Sequence, residues 1–421
     1  MRALLCRALR ARPHELPALG WAFAYFFVLL ASYYILRPVR DDMGVLAGVG
    51  RLQWLFTATF ATMLALTPLF GWLCRSLPRA RLLPAVYLFF AVNLVAFWAA
   101  LEAGLALHAL APVFFVWLSV FNLFVVSVFW SFMSDLFDAE QAARLYGAIA
   151  AGGSCGAIAG PSLTALAAQQ LGTANLLLIS AGLLVAATAC IGMLVRWARA
   201  YPRAGDPPAQ APIGGSIASG VRAAIGSRYL LGICGYLLCY SVLSTALYFA
   251  QVDIVGRAIA DSGERTRLFA TLDLSVNGLT LIVQVLVFAR LGAALGLAWM
   301  LALMPLASLA GFLWLGAAPT LAVLIAFGVT RRVGEFSISK PAREELFTVV
   351  PREQRYKAKN FIDTVVYRGG DALAGWLVGG LRGLGLGLSA LSFLAAPLAL
   401  AWLAVGLWLG RRQERLRRAP V

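Results

Sequence analysis

Runs of about twenty apolar residues recur along this chain, and that recurrence decides its fold class. They fall near 17–36, 52–74, 82–101, 109–134, 145–169 and 174–196, then near 229–255, 268–290, 293–316, 319–339, 355–380 and 384–410. A helix rises about 1.5 Å per residue, so each run is long enough to cross the roughly 30 Å hydrocarbon layer of a bilayer. Composition agrees. The chain is 61% hydrophobic and only 13% charged, whereas soluble domains carry about 25% charged residues. The expectation is an all-α polytopic membrane protein with 12 transmembrane helices in two six-helix repeats. The N-terminal bundle covers residues 1–198, a linker rich in Pro, Gly and Arg covers 199–228, and the C-terminal bundle with its basic tail covers 229–421.

A net charge of +16 invites a nucleic-acid reading, but the positions of the charges argue against it. With the N-terminus inside, the inner segments hold 27 of the 35 basic residues, and the outer loops hold seven. Excess Lys and Arg in inner loops is what membrane topology requires. Both termini are expected in the cytoplasm, and the protein in a bacterial inner membrane. The arginines of residues 1–16 resemble the start of a signal peptide, but the apolar run that follows is too long for one, so it reads as an uncleaved first span.

The two halves share a junction. The fourth span ends Asp135-Leu136-Phe137, followed by Glu140-Gln141 and Arg144. The tenth ends Glu345-Leu346-Phe347, followed by Glu353-Gln354 and Lys357. Parallel six-helix repeats with a basic central loop are the signature of major-facilitator transporters. The alternative is chance similarity between two helix-to-loop junctions.

Several chemistries are excluded. No GxxxxGK[ST] loop is present to cradle ATP for hydrolysis. The only histidines, His14 and His108, are too far apart in sequence and too near the interfaces to suggest a catalytic triad or a histidine-ligated metal. Six cysteines without a CxxC read as small buried thiols. The expectation is no enzyme, no cofactor and no metal, with transport driven by a gradient or by exchange.

Charge inside the membrane is costly and marks function by default. The stretch from Glu335 to Asp371 holds 13 of the 54 charged residues. It reads as a cytoplasmic loop running into a span that carries Asp363, Arg368 and Asp371 inward. Arg368 and Asp371 are three apart and can pair; Lys359 can pair with Asp363. Mutual neutralisation would explain these charges without a ligand; a substrate path is the other reading. The first span ends Tyr33-Tyr34-Ile35-Leu36-Arg37-Pro38-Val39-Arg40-Asp41-Asp42, where Pro38 should end or bend the helix. Tyr34, Arg37 and Arg40 there suit an anionic ligand, because a guanidinium binds phosphate bidentately. Equally, Tyr and Arg anchor helix ends at the interface, and Arg40 has Asp41 or Asp42 as a neighbour. Asn277 is a further cavity candidate, and Lys340 lies nearer the cytoplasmic mouth.

Other residues read as gating or structural. Asp135 sits at an inner helix end within reach of Arg144, and Glu345 is its counterpart. Gly156 and Gly160-Pro161 suit a closely packed pivot helix. Trp130 reads either as a stacking platform or as a packed aromatic.

At this level the sequence resembles the ATP/ADP translocases of plastids and intracellular bacteria. The resemblance rests on Tyr34-Ile35-Leu36-Arg37-x-x-Arg40-Asp41, on Phe129-Trp130-x-Phe132-x-x-Asp135 with Glu140, Ala142, Arg144 and Tyr146, and on Lys340-Pro341-x-Arg343-Glu344-Glu345-Leu346-Phe347 with Lys357, Lys359, Ile362-Asp363 and Arg368-x-Gly370. It implies a major-facilitator-like twelve-helix fold that exchanges nucleotides by alternating access around a central cavity. Two positions depart from the pattern: Arg40 stands where that family usually has lysine, and Asp371 stands where a lysine is expected. The expectation is a monomer that takes a small nucleotide or organic anion. A proton-coupled exporter of drugs or metabolites is the alternative, and a non-transporting scaffold is a third reading.

Overall fold

The computed structural model describes residues 12–76, 79–201, 225–351, 358–359 and 361–418, excluding the side chains of 70–76, 79–81, 139, 289, 293, 363 and 364. The basic N-terminal segment, most of the 199–228 linker, the Glu353–Lys357 junction, the side chains of the basic turn near 71–81 and the Asp363 side chain lie outside the described residues.

Helices account for nearly all of the described residues. In chain order α1 is Leu16–Ala47, α2 Leu52–Ser76, α3 Arg79–Glu102 and α4 Leu107–Leu136. A continuous helix over Ala139–Ala200 is broken at Gly172, whose φ of 78° and ψ of 155° no helix tolerates. Its two limbs, 139–171 and 173–200, are α5 and α6. Then come α7 (Arg228–Ala258), α8 (Ser262–Leu286) and α9 (Phe288–Ala317, kinked at Gly296). Helix α10 begins at Leu321–Gly334, α11 includes Tyr367–Gly383, and α12 is Leu388–Arg418. This gives the twelve helices read from the sequence.

Two spans run further than the hydropathy suggests. α1 continues through Pro38 to Ala47, where the sequence predicts an end or a bend, so Pro38 does not end it. The residues beyond Pro38 are held by buried polar contacts, so the lost backbone hydrogen bond is tolerated. α10 does not give way to a loop after residue 339. It changes winding, through a π-helical turn at Glu335–Ser339, an α turn at Lys340–Leu346 and a 3-10 turn at Phe347–Val349. Its inward face, with Glu335, Ser337, Ser339, Arg343, Leu346 and Phe347, is buried. The expected cytoplasmic loop is therefore in part a packed helix, because Glu335 and Arg343 neutralise one another at 3.5 Å. α11 also opens with a π turn, at Ile362–Val366.

Backbone contacts divide the chain into two compact units. The first comprises Met1–Ala47, Ala65–Pro207 and Ile259–Leu274; the second comprises Gly48–Leu64, Pro208–Ala258 and Ser275–Val421. Each therefore takes one short segment from the other half of the sequence.

In the first unit α1 runs through the middle. Tyr25, Leu29, Ile35 and Leu36 on it are fully buried, and Phe26 stacks on Phe129 of α4 with ring centres 4.2 Å apart. A Cβ on Gly160 of α5 would sit 2.7 Å from the Ala31 carbonyl oxygen, while Ser180 of α6 bonds Ser32 hydroxyl to hydroxyl at 2.7 Å. Residues 160 and 180 thus reach the same level of α1 from either side of Gly172, so α5 and α6 form a hairpin. Small residues let these backbones meet where the hydrophobic effect between helices is absent.

In the second unit Tyr236 of α7 and Trp402 of α12 fill the interior, both fully buried. The Tyr236 hydroxyl donates to the Leu301 carbonyl at 2.9 Å. The 48–64 segment lies along α11: Trp376 Nε1 donates to Thr57 Oγ1 at 3.0 Å.

The shared junction has the same burial pattern in both halves. Asp135 and Glu345 are exposed. The Leu-Phe pairs that follow, Leu136-Phe137 and Leu346-Phe347, are buried.

Candidate substrate site

The second unit gathers charge around α7, α10 and α11. Arg331 lies at the end of the regular part of α10 and is 3% exposed. Its Nη1 donates to Ser244 Oγ at 3.1 Å, and its Nη2 donates to the Tyr240 carbonyl at 3.2 Å. Its guanidinium carbon is 4.9 Å from the centre of the Tyr240 ring, a cation–π contact. Nε is buried with no hydrogen-bond acceptor. Among the described residues no carboxylate forms an ion pair with Arg331, because Glu335, one turn on, faces Arg343 instead.

Tyr240 in turn stacks on Tyr367 of α11, with ring centres 5.9 Å apart and planes 22° from parallel. Arg368 lies over the Tyr367 ring at 5.3 Å. Two arginines thus flank a stacked pair of tyrosines. Arg368 reaches Asp371 at 3.6 Å, as its i,i+3 spacing predicts. Asp371 also accepts from Ser241 Oγ at 2.6 Å and from Thr245 Oγ1 at 3.2 Å. Arg343 pairs with Glu335 and Arg368 with Asp371, which leaves Arg331 without a carboxylate among the described residues. A buried cation left without a counter-ion is costly, and such a group is a natural receiver for an anion. The two π turns, which are rare and favour functional sites, lie beside this cluster: one just after Arg331, the other just before Tyr367.

Lys340 is exposed, immediately after the first π turn. Lys359 pairs with Glu344. Asn277 is half-buried on α8, and Gln284 on the same helix donates to the Phe336 carbonyl at 3.0 Å. Glu345 lies 3.9 Å from Arg417.

The first unit brings together the other set. Arg37 meets Asp273 of α8 at 3.4 Å and lies 5.8 Å from the Tyr34 ring centre. Arg40 sits 4.0 Å above the Phe115 ring and 3.8 Å from Asp41. Further along α1, the fully buried Asp42 takes Arg265 and the Ser262 hydroxyl of α8. Along α1 the ion pairs reverse polarity, with the cation first on α1 and then on α8. Trp130 is a packed aromatic, against Phe26, Phe129 and Tyr146. Gly156, Gly160 and Pro161 are buried on α5, and the two glycines lie against α1.

Arg144 is bidentate to Glu15, both contacts at 3.0 Å, and also reaches Glu140 at 3.6 Å. Burial alone would raise the Glu15 carboxyl. The Arg144 contacts outweigh it, with help from the Arg12 backbone N–H and Gln141, and hold its pKa at about 2.

Sequence reading missed Arg331, because positive-inside counting treats a basic residue at an inner helix end as a loop charge. It missed Glu15 as the partner of Arg144, since 129 residues separate them. The tyrosines at 240 and 367 carry no motif; only their apposition gives them meaning.

No protein-family model matches the chain, and no curated protein sequence does. Solved structures do match over nearly its whole length. One is a bacterial homologue of the human lysosomal transporter Spinster in an inward-facing, unoccupied conformation, with 14% identity and a TM-score of 0.61 over 98% of this chain and 100% of that one. An auto-inhibited peptide transporter of the POT family matches with 16% identity and a TM-score of 0.65, over 96% and 97%. A bacterial homologue of the iron transporter ferroportin, inward-facing, matches with 14% identity and a TM-score of 0.66, over 94% and 98%. With twelve helices in two repeats and these neighbours, the chain is a multi-pass membrane protein of the major-facilitator fold.

Proposed function

We propose that this protein is a secondary transporter that moves organic anions across the bacterial inner membrane by alternating access, with both termini in the cytoplasm. The observation that carries the reading is Arg331, a buried guanidinium without a carboxylate partner among the described residues, beside the half-buried Arg368. A scaffold has no use for such a charge. Nucleotides are the first substrates to test. The Tyr240–Tyr367 stack offers a surface for a planar ring, and the first, fourth and tenth-to-eleventh helix motifs resemble those of ATP/ADP translocases. Asp371, in place of the expected lysine, lowers the positive charge and favours a less highly charged anion than a triphosphate.

The test is counterflow in proteoliposomes loaded with ADP and given labelled ATP outside, for wild type, Arg331→Ala and Arg368→Ala. Uptake that requires internal ADP and falls in both variants supports nucleotide exchange at this cluster. Folded, inserted protein with no uptake rejects nucleotides and moves the screen to smaller anions. A second reading, proton coupling, is favoured by Asp371, which is held by two hydroxyls as well as by Arg368. Loss of uptake on collapsing the pH gradient would select it.

A further inference from the structure

Away from the charge cluster, α7, α11 and α12 enclose a second recess. Its cavity volume is about 70 Å³, a shallow groove that can seat part of a chain rather than enclose a whole ligand. The floor is apolar and buried: Leu243, Phe249, Ala250 and Val378. The rim carries Leu377 and Leu394, about half exposed. From Ala250 to Val242 the recess follows α7 for about 12 Å at 1.5 Å per residue. Arg382 lines it at the end where α11 stops and α12 begins. Just beyond are Asp253 and Arg257.

The charges at this mouth do not cancel. Asp253 Oδ1 accepts from Arg257 at 2.9 Å and from Arg382 at 3.4 Å, so one carboxylate serves two guanidiniums. Arg382 Nη1 is buried with no acceptor, and Asp253 Oδ2 is buried with no donor. The Arg257 side chain is 74% exposed, which places this triad at the level where a helix end meets water.

We propose that the recess is a binding site for an anionic phospholipid of the surrounding bilayer. One acyl chain lies along α7 between Leu377 and Leu394, and the phosphate lies at the mouth against the Arg382 side chain, 26% exposed, and its neighbour Arg257. Basic pockets at the ends of membrane helices take anionic lipid head groups for this reason. The excess positive charge selects an anionic head group, and the apolar depth selects a chain over a free phosphate. The site stands apart from the transport reading, since its lining shares no residue with the charge cluster.

The test is native mass spectrometry of the delipidated full chain in detergent, titrated with dioleoyl phosphatidylglycerol or dioleoyl phosphatidylcholine. Wild type is expected to hold one phosphatidylglycerol at roughly tenfold lower lipid concentration than phosphatidylcholine, because both lipids carry the phosphate but the choline cation cancels the net charge of the second. Arg382→Gln should bind the two lipids equally. Ala246→Phe and Leu391→Phe, which fill the recess from α7 and from α12, should each lose the tight site while keeping a monodisperse elution profile. Equal retention of both lipids by wild type, or undiminished phosphatidylglycerol binding in a folded filling variant, would overturn the proposal.

Discussion

Arg37 and Asp273 meet at 3.4 Å, with the carboxylate side chain 1% exposed. Removing one member of such a pair leaves the other buried with its charge, at a cost of about 3–5 kcal/mol. Arg37→Gln alone should therefore lower the melting temperature sharply. The double variant Arg37→Gln with Asp273→Asn should recover most of the loss. Thermal melts of the four proteins in one detergent check this; additive losses would rule the coupling out.

Arg331 makes the opposite prediction. It is a buried charge with no carboxylate partner among the described residues, so Arg331→Met, though it gives up the contacts to Ser244 and Tyr240, should cost little stability or raise it, as happens when buried ions give way to apolar groups. Transport should fall by on the order of a hundredfold, the worth of a desolvated charge contact to substrate. A lower melting temperature with intact uptake would mean that Arg331 is structural.

Ser241 holds Asp371 at 2.6 Å. Ser241→Ala leaves a buried carboxylate short of a donor and should cost about 1–3 kcal/mol. Adding Asp371→Asn should reduce the penalty of losing that hydroxyl. Denaturation of the two variants and their combination measures the coupling directly.

Glu15 gives a pH signature. Its folded pKa, about 2, lies below the ordinary 4.5. The Glu15–Arg144 contact therefore stabilises the fold fully above about pH 4.5, and the contribution is lost as pH falls toward 2. Glu15→Gln should melt earlier than wild type at neutral pH, and the gap between them should close across that window. A gap that persists at pH 2 would show that the contact acts through packing rather than charge.

Gly160 tests the α1–α5 approach. Its Cβ would stand 2.7 Å from the Ala31 carbonyl oxygen, so Gly160→Ala should cost about 1–3 kcal/mol in overpacking. Gly182 on α6 has open space around it, and Gly182→Ala is the control that should be neutral or mildly stabilising.

The fold was legible because hydrophobic length is a local property. Twelve runs of the right size leave few architectures. The errors came where local reading meets tertiary compensation. Pro38 does not end α1, because the residues beyond it are tied to α8. Glu335 and Arg343 look like loop charges one at a time and become a buried pair only when α10 winds past them. For the site, Arg368 and Asp371 were readable from their i,i+3 spacing. Arg331, Tyr240 and Ser241 were not, since their meaning depends on α7, α10 and α11 meeting in space.

The single non-helical residue between α5 and α6 bears on how the protein is made. Gly172 leaves no polar loop to be threaded or anchored separately; two long apolar helices follow one another with one residue of turn. Neither limb has a flanking charge at that end to hold it at the interface while the other waits. A hairpin this tight is expected to enter the lipid as one unit. A polar tag inserted after Gly172 would be felt first as a defect in membrane insertion, before any defect in transport.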